Sequence, residues 1–204
     1  VDGGIGIDNA LPGTPFPVPK TGSEVMWNHL LRYNGIATSC KFEAYNTDAS
    51  GVTTLSTMGN NVQEYTVYNP DNLGKPMKGT DAYLNIRAEF TGPARRAGEA
   101  LLIIDHVSPL QQQRKAWQYL PGQRRVKLAP ELAYDTPTAG TSGAGTYDDA
   151  FVFNGALDRY DWKLVGKREI YVPYNTYRLS DKTLKYKDII GKYTINADFV
   201  RYEL

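Results

Sequence analysis

Four carboxylates, Asp148, Asp149, Asp158 and Asp161, fall within fourteen positions and form the densest set of groups able to do acid–base chemistry. Paired acids work as a catalytic couple when their surroundings push their pKa values apart, so they define one function class, a hydrolase. Their neighbours offer a plainer account. Asp148 and Asp149 suit a helix start, where negative charge meets the positive end of the helix dipole, and Asp158 with Arg159 suits a turn before a strand. The other reactive groups are isolated. His29 and His106 are too far apart in sequence to set a local ligand geometry; His106 reads as a satisfied structural histidine beside Asp105 or a tyrosine. Cys40 has no basic partner in sequence and reads as a small buried hydrophobe. No Gly-x-x-x-x-Gly-Lys phosphate loop and no Gly-x-Ser-x-Gly nucleophile elbow occur, and Gly3-Gly4-Ile5-Gly6 lacks the preceding strand of a dinucleotide site. Neither a metal nor a cofactor is expected, and no catalytic residue is assigned.

A second chemistry is written in aromatic and basic residues that cluster together. Arg114, Lys115, Trp117, Tyr119, Arg124, Arg125 and Lys127 fall in one segment, and Tyr160, Trp162, Lys163, Lys167, Arg168, Tyr171, Tyr174 and Tyr177 in a later one. Such a mixture suits an anionic amphiphile, with rings along its hydrocarbon and cations at its head group. The same residues also make ordinary strands with a solvated face.

Composition limits the partners. The chain has 204 residues, 23 basic against 22 acidic, a net charge of +1; it lacks the broad positive field that holds a nucleic-acid backbone. With 41% hydrophobic and 12% aromatic residues it has ample material for a packed core. The longest apolar run, Ala100 to Ile104, falls far short of the ~20 residues that span a bilayer. One cysteine leaves the redox compartment undecided. There is no initiator Met and no targeting segment, and Ala197 to Leu204 reads as a strand with no turn after it, so the native chain is expected to continue.

The elements that must position these groups follow from local chemistry. Residues 1–20, with Pro12, Pro15, Pro17 and Pro19, should form an extended arm. Thr21-Gly22-Ser23-Glu24 is a capping-box pattern, and Met26, Trp27, Leu30 and Leu31 recur at helical spacing, which predicts an amphipathic helix of about thirteen residues stopped near Gly35. From Ala37 onward, Thr-, Tyr- and Val-rich segments between Asn, Asp and Gly turns predict antiparallel strands, including Tyr83 to Thr91 and Glu99 to Val107. Arg114 to Leu120 and Arg124 to Ala129 flank Pro121-Gly122-Gln123 as a hairpin, with Gly122 supplying a positive φ. Trp117 and Tyr119 share one face of it, and Trp117 is predicted to pack on the helix-covered side. Residues 135–147 read as a mobile loop, Asp148 to Gly155 as one or two helical turns, and Tyr160 to Val172 as a long one-faced strand.

Several stretches resemble a family of exported Gram-negative bacterial proteins classed as a domain of unknown function and related to outer-membrane lipoprotein-sorting proteins. They are Asp2-Gly3-Gly4-Ile5-Gly6, Pro12 to Pro17, Trp27 to Tyr33, Pro93 to Glu99, Arg114 to Val126 and Phe153 to Gly166, and together the matches cover nearly the whole chain. The resemblance implies an α+β fold: a strongly curved antiparallel sheet, an incomplete barrel, with helices covering the concave side around an apolar cavity. On that reading residues 1–204 are a single domain like the carriers LolA and LolB, or the N-terminal or central part of one. It also implies a periplasmic, non-enzymatic carrier of a hydrophobic or amphiphilic molecule, in the neighbourhood of the outer membrane. A cell-envelope export pump or an outer-membrane protein is the protein partner such a carrier would meet. The apolar and aromatic residues placed at the ligand are Met26, Trp27, Leu30, Leu31, Leu102, Ile104, Trp117, Tyr119, Phe153, Trp162 and Leu164. The competing classes are the hydrolase of Asp148 to Asp161 and an envelope adaptor with no small ligand.

Overall fold

A computed structural model of the protein describes all residues except 1, 142, 191–194, 200 and 204. The chain divides into two compact units, residues 1–44 with 55–164, and residues 45–54 with 165–204.

The first unit is built on an antiparallel sheet whose six strands follow chain order: β1 (Ala37–Thr47), β2 (Thr53–Glu64), β3 (Ala82–Gly92), β4 (Ala100–His106), β5 (Lys115–Leu120) and β6 (Arg125–Leu128). The tip of the β1–β2 hairpin belongs to the second unit. The sheet is curved and unclosed, with β1 and β6 at its edges, and the fold is α+β as the sequence predicts. At the β2 bulge beside Met58, a side chain on Gly59 would collide with the Glu89 carbonyl oxygen of β3; this close backbone approach is what requires glycine there.

Register sorts the side chains into two faces, because alternate residues of a strand point opposite ways. Ile86, Ile103 and Ala116 stand abreast on one face, and Arg87, Leu102, Trp117 and Leu128 abreast on the other. The first face carries the core, with Leu84, Ile86, Ala88, Leu101, Ile103 and Ala116 buried under α1 (Gly22–Leu30) and under Leu132 and Leu157.

The capping box forms as predicted, with the Glu24 amide donating to Thr21 Oγ1. The helix is nine residues long rather than about thirteen. The Leu31 carbonyl accepts from the Gly13 amide at 3.0 Å and the Tyr68 hydroxyl at 2.5 Å, so tertiary donors take over where an intrahelical amide would have come. A side chain on Gly22 would collide with the backbone of Trp162, which crosses the helix start. The arm is held down by Trp27 Nε1 donating to the Gly4 carbonyl at 2.9 Å and by Asn28, which pairs with both backbone groups of Phe16.

Five local expectations are corrected. Gly122 does not take the left-handed turn position; Arg124 does, at φ 50°. Tyr147–Asp149 is a single 3-10 turn and no helix follows, since Phe151 and Val152 both have positive φ and the Asn154 amide returns to the Asp148 carbonyl. Tyr160 to Val172 forms no strand before Val172, because the described residues offer its alternating pattern no partner. Cys40 is exposed rather than buried, because the first five residues of β1 are all exposed. Residues 135–147 are also more tightly stitched than a mobile loop: the Thr138 amide and hydroxyl both donate to the Gly145 carbonyl, the Gly145 amide donates to Thr141 Oγ1, and the Ser56 hydroxyl donates to the Gly140 carbonyl.

In the second unit β7 (Val172–Tyr174) pairs with β8 (Arg201–Glu203), and Tyr45 stacks on Tyr186 of the short α2 (Tyr186–Ile189) at 4.4 Å. The run Ala197 to Leu204 is therefore a 3-10 turn (Ala197–Phe199) followed by β8 rather than one strand, with residues 200 and 204 outside the described set. Among the described residues no helix is long and apolar enough to cross a membrane.

Candidate functional site

The covered face ends in a buried polar knot. Arg114, at the entry to β5, donates from Nε and Nη2 to the two carboxylate oxygens of Asp105 on β4, at 2.5 and 2.9 Å. Its remaining donors reach the Asn154 carbonyl at 2.7 Å and the Leu132 carbonyl at 2.9 Å. Asn154 Nδ2 adds a bond to Asp105, and the Tyr83 hydroxyl donates to Asn154 Oδ1. Burial, with Asp105 nearby, pushes the Tyr83 phenol far above its usual range, so it stays protonated. The void beside this knot, between Trp27, Leu30 and Arg114, measures about 20 Å³, room for one water molecule. Beneath the helix the side chains of Trp27, Leu30, Leu31, Leu84, Ile86 and Ile103 pack into one buried core. A larger open cleft of about 450 Å³ lies between the arm and α1, beside Gly4, Phe16 and Glu24.

The four acids do not converge on a cleft. Asp148 is buried and accepts from the Thr146 hydroxyl at 2.6 Å and the Tyr160 hydroxyl at 2.9 Å. Asp149 accepts from the Thr146 amide, Asp158 accepts from the Tyr134 hydroxyl, and Asp161 is exposed. Asp148 and Asp149 both fasten the turn that starts at Thr146, and Asp158 ties its own turn to Tyr134.

Both histidines are satisfied. His29 Nε2 lies 3.1 Å from the Phe153 carbonyl, and His106 Nδ1 3.1 Å from the Gln113 carbonyl. Burial pulls both rings below the 6.5 of free imidazole, with Arg32 adding to the effect at His29. A ring that binds its proton less readily folded than unfolded contributes stability that is whole above the unfolded value and is lost as pH falls through and below it. The urea midpoint should therefore drop between pH 7.5 and 5.5, and a protein carrying His29→Gln and His106→Gln should drop less. Equal drops would assign the acid sensitivity to other groups.

The residues placed at the ligand fall into two groups. Met26, Trp27, Leu30, Leu31, Phe153 and Trp162 lie in or against the core on the helix side, where Phe153 meets Trp162 edge-on at 5.0 Å. Leu102, Ile104, Trp117 and Tyr119 lie together on the opposite face of the sheet. Trp117 is half-buried there, so its placement on the helix-covered side is corrected: Ala116, its neighbour of the other parity, is the one under the helix. Leu164 is exposed and joins neither group. Sequence reasoning passed over Val126 and Leu128, which stand opposite Tyr119 and Trp117 in the register and are 65% and 57% exposed. Their alternation with Arg125 and Lys127 was the available signal. An apolar strip thus runs over β4, β5 and β6 on the uncovered face, bounded on β3 by Arg87, beyond which Val62 of β2 lies on the same side.

The comparisons agree with the resemblance carried by the arm, helix and hairpin motifs. The family described as protein of unknown function (DUF1329) matches residues 1–204. An uncharacterized protein of Pseudomonas aeruginosa is 38% identical over 210 residues, which cover 100% of this chain and 44% of that one. Among solved structures, a DUF1329 family protein from Desulfovibrio piger is similar with a TM-score of 0.47 and 15% identity, over 67% of this chain and 50% of its own. A putative outer membrane lipoprotein-sorting protein domain from Vibrio parahaemolyticus gives 0.45 and 17%, over 68% and 50%. The chain spans 44% of the curated relative.

Proposed function

Because the chain belongs to the DUF1329 family of proteins of unknown function, we propose, from its own geometry, that it is a non-enzymatic periplasmic binding protein that takes a hydrophobic or amphiphilic ligand on its uncovered sheet face. The observation that carries this is the apolar strip of Leu102, Tyr119, Val126 and Leu128, exposed across three adjacent strands around the half-buried Trp117. Contiguous apolar surface of this kind marks an interaction site, and the Trp and Tyr rings give it the amphipathic character of a lipid interface. The periplasmic location follows the motif resemblance to exported proteins.

An open face covers about half of a hydrocarbon chain. At ~0.8 kcal/mol per buried methylene, sixteen carbons then gain about 6 kcal/mol, which corresponds to tens of micromolar before ordering costs. Binding should therefore be weak and exchangeable. Titration with a fluorescent fatty acid should saturate and shift Trp117 emission to the blue. Leu128→Asp should weaken it at least tenfold without loss of stability, while Asp161→Asn leaves it unchanged. Saturable binding untouched by Leu128→Asp would remove the ligand from this face. No saturable binding at all would favour the adaptor reading, in which the same strip meets a cell-envelope export pump or an outer-membrane protein.

A further inference from the structure

The open cleft between the arm and α1 has a volume of about 450 Å³, within the ~300–1,000 Å³ of small-molecule sites. It is not a gap left by a loose arm. The Gly4 carbonyl accepts from Trp27 Nε1, the Ile7 amide donates to the Val107 carbonyl, the Asn9 amide and the Ala10 carbonyl bond Met77 at 2.7 and 2.9 Å, and Phe16 pairs with Asn28. A space that persists inside this stitching is preformed, and a preformed site spares a ligand the cost of ordering the chain around it. The lining is apolar and anionic. Ile7, Ala10, Pro15, Phe16 and Trp27 supply the apolar part, and the charged lining residues are two carboxylates, Asp8 and Glu24, with no lysine or arginine beside them. Each spends one oxygen on the backbone: Asp8 Oδ1 accepts from the Gly79 amide at 2.8 Å, and Glu24 Oε2 from the Lys20 and Thr21 amides at 2.5 and 3.4 Å. The second oxygens, Asp8 Oδ2 and Glu24 Oε1, accept from no group among the described residues, and neither acid belongs to a described ion pair.

We propose that this cleft binds an organic ammonium ion, its N–H groups donating to the second oxygens of Asp8 and Glu24 and its hydrocarbon or ring body lying against Phe16, Pro15 and Ile7. An anion would meet two like charges here, and a wholly apolar molecule would desolvate both carboxylates without pairing them. An ammonium answers both, since hydrogen bonds between ionised partners are the strong ones, and the Phe16 ring attracts the same positive charge. The cleft lies beside α1, which packs on the covered side of the sheet, so the site stands apart from the reading of the uncovered face.

The test is titration of the whole chain with 2-phenylethylammonium and with 2-phenylethanol, which keeps the ring and replaces the ammonium by a hydroxyl, each followed by backbone amide NMR shifts. The ammonium should shift Gly3, Gly4, Gly6 and Thr21 saturably and bind about tenfold tighter than the alcohol at low salt, with the gap narrowing as salt screens it. Asp8→Asn and Glu24→Gln remove the charge and keep the oxygen that accepts from the backbone, so the arm and the capping box remain. Each should weaken the ammonium about threefold, the scale of one partly exposed ion pair, and leave the alcohol where it was. Phe16→Ala should weaken both probes. Equal affinities for the two probes, unchanged by both charge variants, would overturn the ammonium assignment and leave an apolar cleft. Saturable shifts at Tyr119 and Val126 in place of the arm would overturn the location by moving the probe to the uncovered face. No saturable shift with either probe would remove the site.

Discussion

Replacing Arg114 by methionine should destabilise the first unit by about 3–5 kcal/mol, the cost of leaving a buried charge without its partner. Asp105 and Arg114 are 7% and 6% exposed at their side chains, so water cannot replace the lost guanidinium. The substitution also strips donors from the Leu132 and Asn154 carbonyls, and each buried acceptor left unmatched adds its own desolvation penalty. Burial of Arg114 works against its charge, yet Asp105 outweighs it and the guanidinium stays protonated. Pairing Arg114→Met with Asp105→Leu should recover much of the loss, because two apolar groups of similar volume carry no desolvation cost there. Urea unfolding followed by circular dichroism measures both. A loss below about 1 kcal/mol for the single variant, the range of a solvent-exposed pair, would show that water reaches the knot.

The elements that the sequence predicts well are those that local chemistry decides. Thr21 and Glu24 form their capping box because the two groups sit three residues apart whatever lies beyond them. The β5–β6 hairpin forms because Pro121 and Gly122 interrupt two alternating runs. Even there the detail follows a wider constraint: the turn has four residues, 121–124, between the paired Leu120 and Arg125, and the left-handed position falls on Arg124 rather than Gly122.

Which face of the sheet is covered is not a local property. Ala100 to Ile104 is apolar at both parities, so β4 offers no vote between Leu101 with Ile103 and Leu102 with Ile104. The decision is made by Leu84, Ile86 and Ala88 across the ladder, and by the helix that packs on them. That is why the pairing of Trp117 with Tyr119 on one parity is right and the side assigned to Trp117 is not. Tyr160 to Val172 fails for a related reason: alternation states what a strand would present, but the ladder needs a second strand. The positive φ at Phe151 and Val152 is likewise set from a distance, since Asn154 is drawn back to Asp148, Asp105 and Arg114.

Trp27→Ala should cost about 3–5 kcal/mol, the range for truncating a buried aromatic side chain. Trp27 is 3% exposed and meets Tyr83 edge-on at 6.5 Å, so alanine leaves a cavity between α1 and β3 that the nine-residue helix, fixed by its cap and by Leu31, cannot close by shifting. The change also removes the donor to the Gly4 carbonyl, and the arm then depends on Asn28, on the Ile7 and Gly13 amides and on the ties of Asp8, Asn9 and Ala10 to Met77 and Gly79. Hydrogen exchange at Ile7, whose amide donates to the Val107 carbonyl at 3.3 Å, should speed up by more than the global loss of stability accounts for. Affinity for an amphiphile should stay within about twofold, because Trp27 lies on the covered side and the apolar strip on the other. A large drop in affinity with little change in stability would put the ligand beneath α1 after all, with the helix acting as a movable lid over a space that opens only when it is filled.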